Sequence, residues 1–366
     1  MNKPFSIYLD LVRFCAACLV YLYHSNQRLL IQDILPWSSF GHSSVIVFFV
    51  LSGFVIAFIT DTREKQFATY AASRISRIYS VAVPAVLLTI GLDAIGRGLY
   101  PELYGYPFDQ FLLRSAASLL LLNEVWFVSI TSFSNVPYWS ICYEMWYYVG
   151  FGLLMFLPRR PALIATALLA CLLGPKIVLL APIWGLGVLL YRWQRLKDIS
   201  TSVAWWMVLG SLIGIVWFHQ ADVTEQTTAF MKRMMGEKWH PQFTFSKFFL
   251  SDYLLGVLVF CNFAGMRRVS ESMAKWFSAV ERPVRFLAGY TLTLYLLHQP
   301  LFLFWAAVIR GDNTGSAYWW STTALVAGSV LTVGHFTENR RHQLKNWIES
   351  LLKPLEPLLA RHHANT

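Results

Sequence analysis

The chain has 366 residues, 56% of them hydrophobic and 16% aromatic, and only 14% are charged, against roughly 25% in a soluble domain. That balance excludes a soluble globular protein and indicates an integral membrane one. The 30 Lys and Arg exceed the 20 Asp and Glu for a formal charge of +10, which topology and anionic lipid explain without a nucleic-acid partner.

Ten apolar runs are predicted as spans, on the requirement of about 17 to 25 residues for a crossing helix. They lie near 7–25, 43–60, 78–95, 138–157, 162–178, 180–193, 203–219, 247–264, 286–309 and 316–336. The fifth and sixth meet around Pro175 and Pro182 and could instead form one broken hairpin. A further short run, 111–123, reads as re-entrant or interfacial. Positive charge is retained on the cytoplasmic side. With the N-terminus inside, 20 of the 30 Lys and Arg fall on inner segments, Arg361 among them, and nine on outer ones, Arg28 among them; Arg13 lies within the membrane. The expected fold is therefore an all-α polytopic helix bundle of about ten transmembrane helices, both termini cytoplasmic. One membrane domain covers 1–337. A tail over 338–366 places Leu344, Trp347, Ile348, Leu351 and Leu352 on one face and predicts an interfacial amphipathic helix.

Residues 1–17 have the outline of a signal peptide, but Asp10 and Arg13 interrupt the apolar region, so the segment is read as retained. All five cysteines lie in apolar segments. Cys15 and Cys18 have the spacing of a metal or redox pair without a second pair, so packing is their reading and no metal is expected. The long outer loops 96–137 and 220–246 carry aromatic, Pro and Gly residues, as suits either a cover over a site or simple connections.

The first span holds the clearest functional signal. An Arg at the centre of a spanning helix costs about 2.5 to 3.5 kcal/mol, so Arg13 is a functional candidate by default. Asp10, Arg13 and His24 return to within about 60° of one stripe, with Arg13 and His24 about 16 Å apart along the axis. Asp10 is expected to neutralise Arg13. In the second span Ser52 and Gly53 are small residues that let helix backbones approach. Arg74 and Arg77 stand at i and i+3 at the inner mouth of the third, where two guanidinium forks can grip a phosphate, though topology alone would also place arginines there. Trp139-Ser140-Ile141-Cys142-Tyr143-Glu144 opens the fourth span, with Glu144 expected on roughly the level of His24, where a carboxylate could orient an imidazole, bind sugar hydroxyls or simply pair with an Arg. In Tyr295-Leu296-Leu297-His298-Gln299-Pro300, His298 either satisfies a carbonyl freed by Pro300 or serves a substrate site. His335 and Glu338 read as structural.

These pieces, in this order, resemble the membrane acyltransferase-3 family, whose bacterial members include O-acetyltransferases of surface polysaccharides. The resemblance covers about residues 7–337. It rests on Asp10 to Arg13 followed by His24, on Phe48 to Phe54, on Arg74 to Arg77, on Trp139 to Glu144 and on Tyr295 to Pro300. It implies transfer of an acyl group, commonly acetyl from cytosolic acetyl-CoA, to a hydroxyl of a glycan or lipid-linked saccharide reached from outside. His24 is similar to the family's essential histidine and Arg13 to its companion; Arg74 and Arg77 match the arginines that handle the donor. Two departures stand out: many relatives have a proline directly after the arginine pair, where this chain has Ser80 and then Pro84, and some carry an outer soluble domain for which this sequence leaves no room.

The expectation is thus an O-acetyltransferase in the bacterial inner membrane, with membrane lipids as its surroundings and no oligomer interface legible. His24, Arg13 and Glu144 are the catalytic candidates, and Arg74 and Arg77 bind the donor. Trp139, Ser140, Tyr295 and His298 line the substrate site, with Asp10, Ser52 and Gly53 as support. The competing class is a glycan transporter or flippase; a sensor that binds acyl-CoA is a third. Against the transporter stands the lack of an inverted repeat.

Overall fold

The computed structural model describes residues 1–26 and 30–355. Arg28, Arg361 and the end of the tail lie outside the described residues. The described residues form helices joined by loops, with one isolated bridge between Ser132 and Asn135 and no strand. In chain order the α-helices are α1 (Lys3–Ser25), α2 (Gly41–Thr62), α3 (Phe67–Leu99), α4 (Phe111–Leu119), α5 (Trp139–Phe156), α6 (Arg159–Leu173), α7 (Pro175–Arg192), α8 (Thr201–Gln220), α9 (Val223–Met235), α10 (Phe249–Val269), α11 (Ala274–Ala288), α12 (Thr291–Ile309), α13 (Ser316–Phe336) and α14 (Arg341–Leu352).

Among the described residues, seven helical stretches are long and apolar enough to cross a membrane: α1, 38–62 through α2, α3, α7, α8, 240–269 through α10, and α12. Three expected spans fall short of that mark for different reasons. α5 carries Trp, Tyr, Ser and Glu144 along its length, α13 is rich in Ser, Thr and Gly, and α6 has 15 residues, about 22 Å at 1.5 Å per residue. The fifth and sixth runs form two helices joined at a tight turn: Gly174, at φ +82°, turns the chain between α6 and α7, and Pro182 is carried inside α7. The short run after 110 forms the nine-residue α4.

One predicted span is corrected. The run 286–309 breaks at Gly289 and Tyr290, and its first residues belong to α11. That helix is amphipathic: Phe277, Val284 and Ala288 are buried, Trp276 and Phe286 exposed. It lies against α1, tied by Lys3 to Glu281 at 2.7 Å and by Arg285 to Asp10 at 2.5 Å. The apolar end of α11 runs straight into α12 in sequence, so hydropathy alone does not show the corner.

α2 packs along α7, α10 along α8 and α12 along α3. The α2–α7 contact is backbone to backbone. A Cβ on Gly53 would run into the carbonyl of Trp184, and one on Gly187 into the carbonyl of Val50, so these glycines are required for close approach. Gly53→Val is therefore expected to force α2 and α7 apart, at about 3 kcal/mol, the upper end of overpacking costs. The check is membrane abundance and thermal stability of the detergent-solubilised variant; a wild-type melting curve would refute the interlock.

The tail is less separate than the sequence suggested. α14 packs on α3 with Ile348 buried, while Trp347 and Leu351 stay exposed. Thr69 donates to Glu349 at 2.9 Å. Just before it, Glu338 accepts from the backbone N–H groups of Leu292 (3.3 Å) and Thr293 (2.9 Å) and from the Thr293 hydroxyl. It thereby supplies the start of α12 with the acceptor that orphan helix N–H groups need, in keeping with its structural reading.

Candidate active site

Two cavities enter the bundle from opposite ends. The inner one, about 320 Å³, is walled by Asp10, Arg13, Arg77, Ser140, Glu144, Arg285 and Arg341 among others. The outer vestibule, about 800 Å³, is walled by His24, His42, Trp139, His219, Lys247 and Asp252 among others. Val45 and Tyr295 line both, so the two meet at a thin partition. Across it the Tyr295 and Ser140 hydroxyls are hydrogen-bonded at 2.7 Å.

His24 sits in the last turn of α1, and His298 on α12 is fully buried behind it. His298 Nε2 lies 3.0 Å from His24 Nδ1, with ring centroids 5.0 Å apart. The hydrogen bonds fix the protons. His298 Nδ1 faces the carbonyls of Leu294 (3.1 Å) and Tyr295 (2.8 Å), so it is the protonated nitrogen and Nε2 the acceptor. His24 Nδ1 must then donate, to that Nε2 and to the Val20 carbonyl at 3.1 Å. The lone pair left over is on His24 Nε2, which has no partner among the described residues. Pro300 withdraws its N–H from the Leu296 carbonyl, and Asn135 Nδ2 fills that place at 2.6 Å. His298 thus orients His24, and Asn135 does the repair work.

Glu144 does not orient the imidazole. α5 begins at Trp139, so its first turn places Ser140 in the partition and the next drops Glu144 below it, into the inner cavity. There its carboxylate accepts from Ser52 Oγ at 2.7 Å and from the Tyr148 hydroxyl. Ser52 also meets Tyr148 (3.1 Å) and Trp184 Nε1 (3.2 Å), so it is a polar hub while its neighbour Gly53 provides the close approach. Trp139 is packed between rings, stacked on Phe245 at 4.4 Å and 2° and parallel to His42 at 6.5 Å and 15°. It shapes the vestibule wall without offering a free face.

The arginine pair parts company. Arg74 is buried, ion-paired to Glu64, with its guanidinium 5.2 Å from the Tyr70 ring and 5.8 Å from that of Tyr148. It faces an apolar groove between α3 and α5. Arg77, one turn on, lines the inner cavity and has no hydrogen-bond or ion-pair partner among the described residues; its Nε is buried and unsatisfied. The two therefore do not converge on one phosphate. What joins Arg77 instead is Arg13, whose Nη1 is 3.3 Å from Asp10, Arg285 on the other Asp10 oxygen, and Arg341 at the mouth. The 337/338 boundary consequently cuts through the cavity wall, since Glu338, Asn339 and Arg341 all belong to it. Four guanidinium groups against Asp10, Glu144 and Glu338 leave the cavity cationic, suited to a polyanion.

Sequence reasoning missed Arg285 and Arg341 on the inner side because both stand in cationic clusters that topology already explained. His42 and Asp252 on the outer side gave no signal, being 210 residues apart and joined only in space.

The exopolysaccharide production protein ExoZ of Rhizobium meliloti (strain 1021) is 30% identical over 149 residues, 38% of this chain. The match spans 42% of ExoZ, less than half of that relative. No solved structure matches. Residues 6–334 match the acyltransferase-3 family model, described as an acyltransferase domain. With nearly the whole chain matched, the protein belongs to that family, and its long apolar helices make it a multi-pass membrane protein.

Proposed function

We propose that the protein moves an acyl group, acetyl first among them, from acyl-CoA on the cytoplasmic side to a hydroxyl of an exported or surface glycan on the other side of the inner membrane. The observation that carries the reading is the pair of cavities, cationic within and histidine-lined without, meeting at Val45 and Tyr295. Arg77, Arg13, Arg285 and Arg341 would hold the donor's phosphates. The volume, near the small end of ligand pockets at about 300 to 1,000 Å³, suits the donor's narrow arm, with the bulk of the nucleotide at the mouth. The thioester then passes the Ser140–Tyr295 pair to reach His24 Nε2. From that lone pair the residue can take the hydroxyl proton as general base or attack the thioester carbonyl itself. A glycan acceptor is supported by ExoZ, whose name places it in exopolysaccharide production.

The test is mass spectrometry of surface and secreted glycans from cells lacking the protein and from the same cells complemented with it. An acetyl increment that appears only on complementation supports the reading and identifies the acceptor. Glycans that keep their acylation but fail to reach the surface would replace it with the transporter class.

A further inference from the structure

The vestibule contains a second histidine with an open nitrogen. His42 is the second residue of α2, and its Nε2 lies 2.9 Å from Asp252 Oδ1 on α10. The Asp252 side chain is 2% exposed and its Oδ2 has no partner among the described residues. A carboxylate accepts only, so Nε2 carries the proton and the His42 lone pair is on Nδ1. No hydrogen bond occupies Nδ1 among the described residues, and the side chain is 26% exposed within the vestibule that His24 also lines. Trp139 and Phe248, the latter at 5.1 Å between centroids, hold the ring in place. Besides His24, the other ionisable groups of that wall are Lys247, His219, Asp222, Glu225, Tyr23 and Tyr295.

Two open imidazole lone pairs thus face one chamber, and a single histidine acting as base would leave one of them idle. A base at His24 would also have to hand its proton to a thiolate that withdraws inward past the Ser140–Tyr295 partition, whereas His42 opens to outer water. We infer that His42, held by Asp252, takes the proton of the acceptor hydroxyl, while His24 carries the acyl group. The inference rests on the acyltransfer reading above and assigns the two histidines separate tasks.

The steps balance. His24 Nε2 attacks the thioester carbonyl, a C–N bond forms, the C–S bond breaks, and the thiolate leaves inward and is protonated by water there. The acyl-imidazolium keeps its Nδ1–H on His298. The acceptor oxygen then bonds to the acyl carbon, the C–N pair returns to His24 Nε2, and the hydroxyl proton passes to His42 Nδ1. The resulting imidazolium lies against the Asp252 carboxylate until its proton leaves to outer water.

His42→Gln is the informative variant, because an amide can still donate to Asp252 but cannot accept a proton at neutral pH. Incorporation of labelled acetate into cell glycans in a short pulse is expected to fall at least about 100-fold, the lower end of a base's contribution, at unchanged membrane abundance. Purified His42→Gln incubated with labelled acetyl-CoA should accumulate one acetyl on the peptide bearing His24, since loading is intact and discharge is slow. His42→Ala should recover part of its transfer when imidazole is added outside the cells. Transfer within a few-fold of wild type in His42→Gln overturns the inference, and so does a loss of transfer without acetyl on His24. Should His24→Ala itself retain transfer, the acyltransfer reading of the site fails, a result distinct from failure of the His42 assignment alone.

Discussion

Replacing His24 by alanine is expected to reduce acyl transfer by at least about 10³-fold, within the range a positioned acid–base group supplies and more if the residue also bears the acyl group. The reason is geometric. His24 Nδ1 is committed to the Val20 carbonyl and to His298, so the free lone pair is fixed at Nε2 beside the partition where the cavities meet. His298 cannot substitute, because its own Nδ1 is tied to two carbonyls and its Nε2 is turned toward His24. Removing His24 leaves a buried nitrogen without its donor, a cost of about 1 to 3 kcal/mol. His24→Gln is the matched control: its amide can donate to His298 Nε2 yet offers no imidazole, and it should be equally inactive with normal abundance. The measurement is labelled acetyl transferred to glycan per unit of protein in the membrane. Activity within tenfold of wild type in both variants would remove His24 from the chemistry.

How much of this site could be read from the chain depends on whether the signal was local. Arg13 and His24 stood out because each is expensive in an apolar helix, and the structure puts both on cavity walls, Arg13 in the inner cavity and His24 in the outer one. The helical alternation was legible for the same reason: apolar runs of spanning length announce themselves. Partnerships were not. His24 and His298 are 274 residues apart, and no periodicity connects them. Asp10 was expected to answer Arg13 and does, but its shorter ion pair is with Arg285, on a helix that hydropathy had merged into the next span. Glu144 was placed on the level of His24 by counting residues from the membrane edge. Its true depth depends on where the chain before Trp139 ends, which the loop's fold decides.

The arginine pair shows the same limit and yields the second large effect. A spacing of three residues on a helix offsets two side chains by about 60°, enough for neighbouring elements to claim them separately. α5 and Glu64 claim Arg74; the inner cavity receives Arg77. Their alanine variants should therefore fail in different ways. Arg74→Ala strands a buried carboxylate, and breaking such a pair from one side costs about 3 to 5 kcal/mol, so the expected result is low membrane abundance and a lowered melting temperature. Arg77→Ala removes a cation that has no hydrogen-bond or ion-pair partner among the described residues. It should fold normally and bind acetyl-CoA about 10- to 100-fold more weakly, the worth of a charged hydrogen bond at about 1.5 to 3 kcal/mol. Arg77→Lys should recover only part of that affinity, because an ammonium cannot reproduce the guanidinium fork. Calorimetric titration of acetyl-CoA into the purified variants, alongside their melting curves, separates the two. If Arg74→Ala is stable but no longer binds donor while Arg77→Ala binds it as wild type does, the donor site lies in the groove between α3 and α5 and the assignment of the inner cavity is wrong.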